Sequence, residues 1–217
     1  MTDPSSSQAF PPRHLIYFAD PMCSWCWGFS VAIGNIVKEF GARLPVRLVM
    51  GGLRPGHMVP MDDDAKATTR RHWEQVAEAS GQPFNFDFFE RENFVNNTEP
   101  ACRAVVAARR LAPETALATM AAVQRAFYTE NRDVTDADEL TAIAGAQGLD
   151  PDAFRREFED MDTMDETRAD FWLAKNSQIN GFPTLIAVQD DQYQAVTIGF
   201  SPWERIAPAL REWLGPA

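Results

Sequence analysis

Apolar runs typical of β-strands occur near the two ends of the chain and are nearly absent from its middle. The run at residues 14–19 predicts a buried strand, and apolar side chains at helical spacing over 24–40 predict a helix after it. Residues 46–50 predict a second strand, which ends at two glycines. The crossover between the two strands is long enough for them to pair in parallel.

The middle of the chain, from about residue 62 to 160, shows helical periodicity with little of the alternation typical of strands. Thr135 and Asp138 are spaced as a capping box, and Pro100 and Pro151 stand where a first helical turn tolerates proline. We therefore predict a series of helices here. Their predicted bounds are 62–80, 98–110, 114–129, one beginning near 135, 150–159 and 164–179.

Strand character returns after residue 180. Residues 183–188 and 193–198 predict a hairpin across the turn at 190–192. Ser201 is expected to cap a last helix that runs to residue 214, with Pro202 at its first position.

The order of elements is therefore strand, helix, strand, a helical block, and then helix, strand, strand, helix. Without the block this is the thioredoxin arrangement, so the predicted fold class is α/β, a thioredoxin-like fold with an inserted all-helical domain. We assign residues 13–58 and 163–217 to the thioredoxin-like domain and 59–162 to the insertion. Residues 1–12 are polar and rich in proline, which predicts a flexible tail.

Composition narrows the function classes. The chain has 217 residues and a formal net charge of −11. This acidic surplus argues against binding to nucleic acid or to an anionic membrane, because both need a basic surface. The N-terminus lacks the basic and apolar segments of a secretory signal, and no run is long enough to span a membrane. These features predict a cytoplasmic protein, and they give no indication of its oligomeric state.

Cys23 and Cys26 form a Cys-x-x-Cys motif at the predicted turn between the first strand and the first helix. The free N–H groups and the dipole of the helix start stabilise a thiolate, so the first cysteine becomes nucleophilic. The second cysteine is close enough to form a disulfide and release whatever the first has attacked. No metal site is predicted, because zinc needs four ligands and the other candidates lack a suitable spacing. Those candidates are Cys102, His14, His57 and His72.

A Gly-Phe-Pro-Thr segment just before the third predicted strand also supports dithiol chemistry. In thioredoxin-like folds a cis-proline at this place lies beside the dithiol, where it leaves no N–H next to the sulfurs. We therefore expect Pro183 to be cis, with Phe182 and Thr184 flanking a substrate groove. Ser24 and Trp25, which lie between the two cysteines, are also expected to contact the substrate.

Four segments spread over nearly the whole chain carry a family resemblance: DPMCSWCWGF at 20–29, MGGLR at 50–54, TEPACRAV at 98–105 and GFPT at 181–184. With them the chain resembles DsbA-family thioredoxin-fold proteins, and more narrowly the FrnE-like group of predicted protein-disulfide isomerases. The resemblance implies that Cys23 is the nucleophile, Cys26 the resolving cysteine and Pro183 the cis-proline. It also implies the inserted helical domain.

One departure from the periplasmic oxidant DsbA affects the expected redox potential. The residues between the cysteines are Ser24 and Trp25, where DsbA has proline and histidine. A histidine there stabilises the thiolate and therefore the reduced form. Because this chain has no cation between the cysteines, we expect a less oxidising couple, which is consistent with a cytoplasmic location.

Four further residues have two interpretations each. Cys102 is either a buried core residue or a third thiol near the cleft. His57 follows the end of a parallel strand, where such sheets bind ligands, and lies either in a cleft or on the surface. Arg54 suits either a substrate carboxylate or a structural salt bridge. Trp27 either joins Trp25 in an apolar platform or packs between the domains.

The sequence therefore predicts a cytoplasmic thiol–disulfide oxidoreductase, a reductase or isomerase acting on protein or small-molecule disulfides. No bound cofactor is expected, and glutathione or a thioredoxin-type system is the expected reductant. Two alternatives stay open. Kappa-class glutathione transferases and related isomerases share this architecture but have a serine at the place of Cys23. A binding or chaperone-like module without turnover is the other.

Overall fold

The structure is a computed structural model that describes residues 10–215. Most of the stretch predicted as a flexible tail, residues 1–9, lies outside the described residues. Of the remainder, Pro12 accepts a hydrogen bond at its carbonyl from the backbone N–H of Asp190, at 3.2 Å. None of the helices within residues 10–215 combines the length and apolar character needed to cross a membrane.

A mixed β-sheet forms the centre of the fold. Its strands are β1 Arg13–Ala19, β2 Val46–Met50, β3 Thr184–Gln189 and β4 Gln192–Ile198. The order across the sheet is β2-β1-β3-β4. β1 is parallel to β2 and antiparallel to β3, and β3 and β4 form the predicted hairpin.

Helices make up most of the rest of the described chain. They are α1 Ser24–Phe40, α2 Asp63–Ser80, α3 Glu99–Leu111, α4 Ala116–Tyr128, α5 Ala137–Ala146, α6 Pro151–Glu159, α7 Met161–Asn176 and α8 Trp203–Leu214. Helices α2 to α7 all lie between β2 and β3 in the sequence, so the α/β thioredoxin-like fold with an added helical region is confirmed. The exact domain bounds at 59 and 162 stay a prediction.

The central strand β1 is apolar along most of its length because both of its faces are covered. Leu15 and Tyr17 face the core that α1 shares with the sheet. Ile16 and Phe18 face the opposite side, where Ala174 of α7 packs against them. The sheet therefore holds the end of β1, and the turn after it, between two helical layers.

A second core lies in the helical region and is unusually aromatic. Trp73 of α2 is 2% exposed and sits at its centre. Edge-on and stacked ring pairs surround it, and such pairs add about 0.5–1.5 kcal/mol each beyond the burial of their area. Its ring neighbours are Phe84, Phe86, Phe88, Phe89, Phe127 and Tyr128. Trp27 of α1 stacks on Tyr128, which confirms that Trp27 joins the sheet layer to the helical region.

The predicted starts of α5 and α8 are wrong by one or two residues. Helix α5 is capped by Asp136, whose carboxylate accepts from the N–H groups of the second and third residues, while Thr135 bonds to Asp133 instead. Helix α8 begins at Trp203. Pro202 has an extended backbone, so it occupies the cap position predicted for Ser201.

The bounds of α7 also differ from the predicted 164–179. The helix starts three residues earlier because the Asp160 side chain accepts a hydrogen bond from the N–H of Asp162 at 2.7 Å. It ends at Asn176 because Gln178 has a left-handed backbone, with φ of 56°. The segment that leads to Pro183 is therefore a turn rather than a helical end.

Candidate active site

The two cysteines of the motif lie at the start of α1. Cys23 is the N-cap residue, with an extended backbone, and its N–H donates to the Asp20 carbonyl at 3.1 Å. Among residues 10–215 no side chain caps this helix start, so its free N–H groups are available to a negatively charged sulfur. Cys26 follows in the first helical turn, and both cysteines are free thiols in this structure.

The surroundings of the two sulfurs are unequal. Cys23 lines a cleft, whereas Cys26 is 0% exposed and lies behind it. Burial raises the pKa of Cys26 well above its ordinary value, and a hydrogen bond to Cys23 raises it further. Cys26 therefore stays a protonated thiol, and Cys23 is the cysteine that faces the cleft.

The segment predicted to flank the dithiol lies against it. The Phe182–Pro183 peptide bond is cis, as predicted. The Phe182 carbonyl oxygen lies 3.5 Å from the Cys23 sulfur, which donates to it. Pro183 and Thr184 are buried and do not line the cleft; the Thr184 hydroxyl donates to the Gly181 carbonyl at 2.8 Å.

Two glycines in the loop after β2 let aromatic rings approach its backbone. The Phe182 ring lies against Gly51, and the Phe171 ring of α7 lies against Gly52. A Cβ atom at either glycine would overlap the ring. Gly52 also has a positive φ of 66°, which favours glycine on backbone grounds. This loop is therefore held between the Phe182 segment and α7.

The cleft beside Cys23 has a volume of about 300 Å³. Of the residues expected at the site, Ser24, Trp25, Phe182 and Arg54 line it. His57 and Cys102 do not: His57 lies further along the loop after Arg54, and Cys102 is fully buried. The remaining lining residues are Met22, Leu53, Thr69, His72, Trp73, Phe88, Asn96, Phe127 and Gly181.

His72 and Asn96 are cleft residues that the sequence did not identify. His72 shares a helix face with Thr69 and Trp73. The apolar periodicity of α2 could identify this face as buried, but it could not show that the face packs over the dithiol. Asn96 lies in an irregular segment before α3. Only the packing of the helical region against the sheet brings both beside the dithiol.

Asp20 connects segments on both sides of the cleft through hydrogen bonds, a role that the sequence did not predict. Its buried carboxylate accepts from the N–H of Met22 at 2.8 Å, from the N–H of Leu53 at 2.7 Å and from the Cys102 sulfur at 3.4 Å. Burial raises the pKa of Asp20. Burial first, and then the charge of Asp20, raise the pKa of Cys102. Cys102 is therefore a buried hydrogen-bond donor behind the cleft.

Two buried tyrosines border the dithiol from the protein interior. Tyr17 of β1 lies beneath Cys26, and burial raises the pKa of its phenol well above the ordinary value. Burial does the same to the pKa of Tyr128 of α4. Both side chains therefore stay neutral and add no competing anion beside the sulfurs. Within residues 10–215, no cluster of three or more His, Cys, Asp or Glu side chains is placed to hold a metal ion.

The fold and the site together define a thioredoxin-fold protein with a Cys-x-x-Cys pair at a helix start and a cis-proline segment beside it. The family model of the DSBA-like thioredoxin domain matches residues 14–211. The chain belongs to this family of thiol–disulfide oxidoreductases.

Similar proteins with solved structures share the whole architecture. A protein of Nitrosomonas europaea, provisionally described as a protein disulfide isomerase, is 36% identical, with a TM-score of 0.87 over 93% of this chain and 97% of that one. The cytosolic disulfide reductase DsbM of Pseudomonas aeruginosa is 26% identical, with a TM-score of 0.77 over 92% of this chain and 98% of that one. DsbM has also been solved with GSH.

A more distant likeness is to the ClpXP adapter protein SpxH of Halalkalibacterium halodurans. The two sequences are 21% identical over 94% of this chain and 68% of that protein.

Proposed function

We propose that this protein is a cytoplasmic thiol–disulfide reductase that acts through Cys23 and Cys26. The observation that carries the proposal is the unequal placement of the two sulfurs, with Cys23 in the cleft and Cys26 behind it. That placement suits an attacking and a resolving cysteine. The likeness to DsbM, described as a cytosolic disulfide reductase, supports both the transfer of electrons to substrate disulfides and the cytoplasmic location.

The reaction needs only the dithiol and a substrate disulfide. The Cys23 thiolate attacks one substrate sulfur, which forms a mixed disulfide and releases the other half as a thiolate. Cys26 then loses its proton and attacks the Cys23 sulfur, releasing the second half of the substrate. Two electrons have passed to the substrate, and the protein holds a Cys23–Cys26 disulfide. Two glutathione thiols, or one thioredoxin-type dithiol, reduce it again.

The protein groups around the dithiol favour this order of events. The start of α1 has free N–H groups that are available to a negatively charged sulfur at Cys23. The raised pKa of Cys26 keeps that sulfur neutral, so two like charges do not meet before the first attack. Ser24 and Trp25 add no cation that would hold the dithiol reduced, which favours donation of electrons to substrates.

The test is reduction of a disulfide by glutathione, coupled to glutathione reductase and NADPH oxidation. We expect Cys23→Ser to abolish turnover and Cys26→Ala to accumulate a mixed disulfide that mass spectrometry detects on Cys23. Cys102→Ser is the matched control, because its hydroxyl keeps a donor toward Asp20, and it should retain turnover. Turnover that survives in Cys23→Ser would overturn the proposal.

The likeness to SpxH favours a second candidate, a binding role without turnover. A binding module should keep its cellular effect when Cys23 and Cys26 are both replaced by serine, whereas a reductase should lose it. A kappa-type transferase is distinguished by Cys26→Ala, since glutathione conjugation needs no resolving cysteine.

A further inference from the structure

The walls of the cleft beside Cys23 have a charge opposite to that of the protein as a whole. The chain has 31 acidic residues against 20 lysines and arginines. Nevertheless, no aspartate or glutamate within residues 10–215 lines the cleft, while Arg54 and His72 do. The Arg54 side chain therefore gives the cleft wall a positive formal charge, which favours an anionic ligand over a cationic one.

The Arg54 guanidinium is available to a ligand. Arg54 is exposed and forms no ion pair within residues 10–215. Arg109 of α3 shows the contrast, because Glu166 and Asp170 engage its guanidinium at 2.7 Å and 3.0 Å. Two carboxylates therefore hold the Arg109 guanidinium, whereas no carboxylate within residues 10–215 holds that of Arg54.

The backbone of Arg54 is nevertheless fixed in place. Its N–H donates to the Thr98 hydroxyl at 3.1 Å, and its carbonyl accepts from the Thr98 N–H at 3.3 Å. The preceding residue, Leu53, is bound by the Asp20 carboxylate. The Asp20 carboxylate also binds the N–H of Met22, the residue before Cys23. One buried carboxylate therefore fixes the backbone on both sides of the cleft, at Arg54 and at Cys23.

We propose that this cleft selects small disulfides that carry a carboxylate, and that Arg54 binds the carboxylate while Cys23 attacks the disulfide. This inference rests on the proposed function. The cleft volume of about 300 Å³ lies at the lower end of the range for small-molecule sites, so it suits a ligand of that size. Guanidinium and carboxylate match in geometry as well as in charge.

Three symmetric disulfides of similar size and different charge test the inference: 3,3′-dithiodipropionate (anionic), bis(2-hydroxyethyl) disulfide (neutral) and cystamine (cationic). The rate at which each oxidises the reduced protein is followed by acid quenching and thiol counting. Each rate is divided by the rate of the same disulfide with dithiothreitol, which removes differences in intrinsic reactivity.

The expected order of normalised rates is anionic, neutral, cationic, with the anionic rate falling as salt is added. Arg54→Gln should lower the ratio of the anionic to the neutral rate by about threefold to fivefold, the upper range for an ion pair at an exposed arginine. Arg54→Lys should keep part of the preference. Arg47→Gln, which removes an exposed arginine of β2 outside the cleft, should leave the ratio within about twofold.

Equal normalised rates for the three disulfides in the unmodified protein would overturn the inference without the need for any variant. An anionic preference that persists in Arg54→Gln would overturn the role of Arg54. If none of the three disulfides oxidises the dithiol, the proposed function itself fails. If all three oxidise it at equal normalised rates, only the charge selectivity fails.

Discussion

Gly51 is the position where one added methyl group would test how the Phe182 segment is held. Gly51 is buried at the end of β2 and has no positive φ, so its backbone accepts alanine. The obstacle is steric. The new Cβ would overlap the Phe182 ring, and even Cε2, the most distant of the three nearest ring atoms, would lie only 2.7 Å away.

The size of the effect follows from that overlap. Ordinary van der Waals contact begins near 3.4 Å, so even Cε2 of the Phe182 ring has to move by about 0.7 Å, and the closer ring atoms by more. Overpacking of this kind costs about 1–3 kcal/mol of unfolding free energy. Because the Phe182 carbonyl lies beside the Cys23 sulfur, the same movement should also slow disulfide exchange.

The assay is urea unfolding of Gly51→Ala, together with the rate of dithiol oxidation. Gly34→Ala is the matched control, because a Cβ at Gly34 in α1 lies within 4 Å of no other part of residues 10–215 besides its chain neighbours and its own helix backbone. That control should be stabilised by up to about 1 kcal/mol, since alanine is the better helix former.

A double-mutant cycle with Phe182→Ala decides whether the ring is the cause. Without the ring, Gly51→Ala should cost less than about 0.5 kcal/mol, so the coupling energy should exceed about 0.5 kcal/mol. If the two substitutions are additive within about 0.5 kcal/mol, the contact between Gly51 and Phe182 does not carry the cost and the reasoning is refuted.

Three further outcomes are expected. Iodoacetamide should modify Cys23 before Cys26 and Cys102 in the native protein, because the latter two are 0% exposed; peptide mapping that finds Cys102 labelled first would contradict this. A glutathione redox titration should give a potential more reducing than about −120 mV, the DsbA value, and a value at or above it would reveal a missed thiolate-stabilising group. Burial raises the pKa of Asp20, so the stability that its protonated form contributes is present at low pH and lost as the pH rises through the raised pKa. The unfolding free energy of the wild type minus that of Asp20→Asn should therefore fall as the pH rises above about 4, the ordinary aspartate pKa, in urea titrations, and a difference that rises would contradict the assignment.

The sequence by itself determined the local parts of this protein. The bounds of α1 and β2 match their predictions because they depend on apolar periodicity and on the glycine after each element. The dithiol and the Phe182–Pro183 segment were found in the same way, since the spacing of two cysteines and a proline before a strand are visible in the chain itself. The errors at α5, α7 and α8 are also local, and each comes from a cap or turn displaced by one to three residues.

The tertiary structure alone decided which side chains surround the sulfurs. Arg54, His72 and Asn96 come from separate parts of the chain and meet only because the helical region packs over the end of the sheet. The same packing buries Cys102 against Asp20 and leaves His57 outside the cleft. Periodicity shows which face of a helix is apolar, but the partner of that face is set by contacts between residues far apart in the sequence. The chemistry of the dithiol could therefore be predicted from the sequence, whereas the charge of its cleft could not.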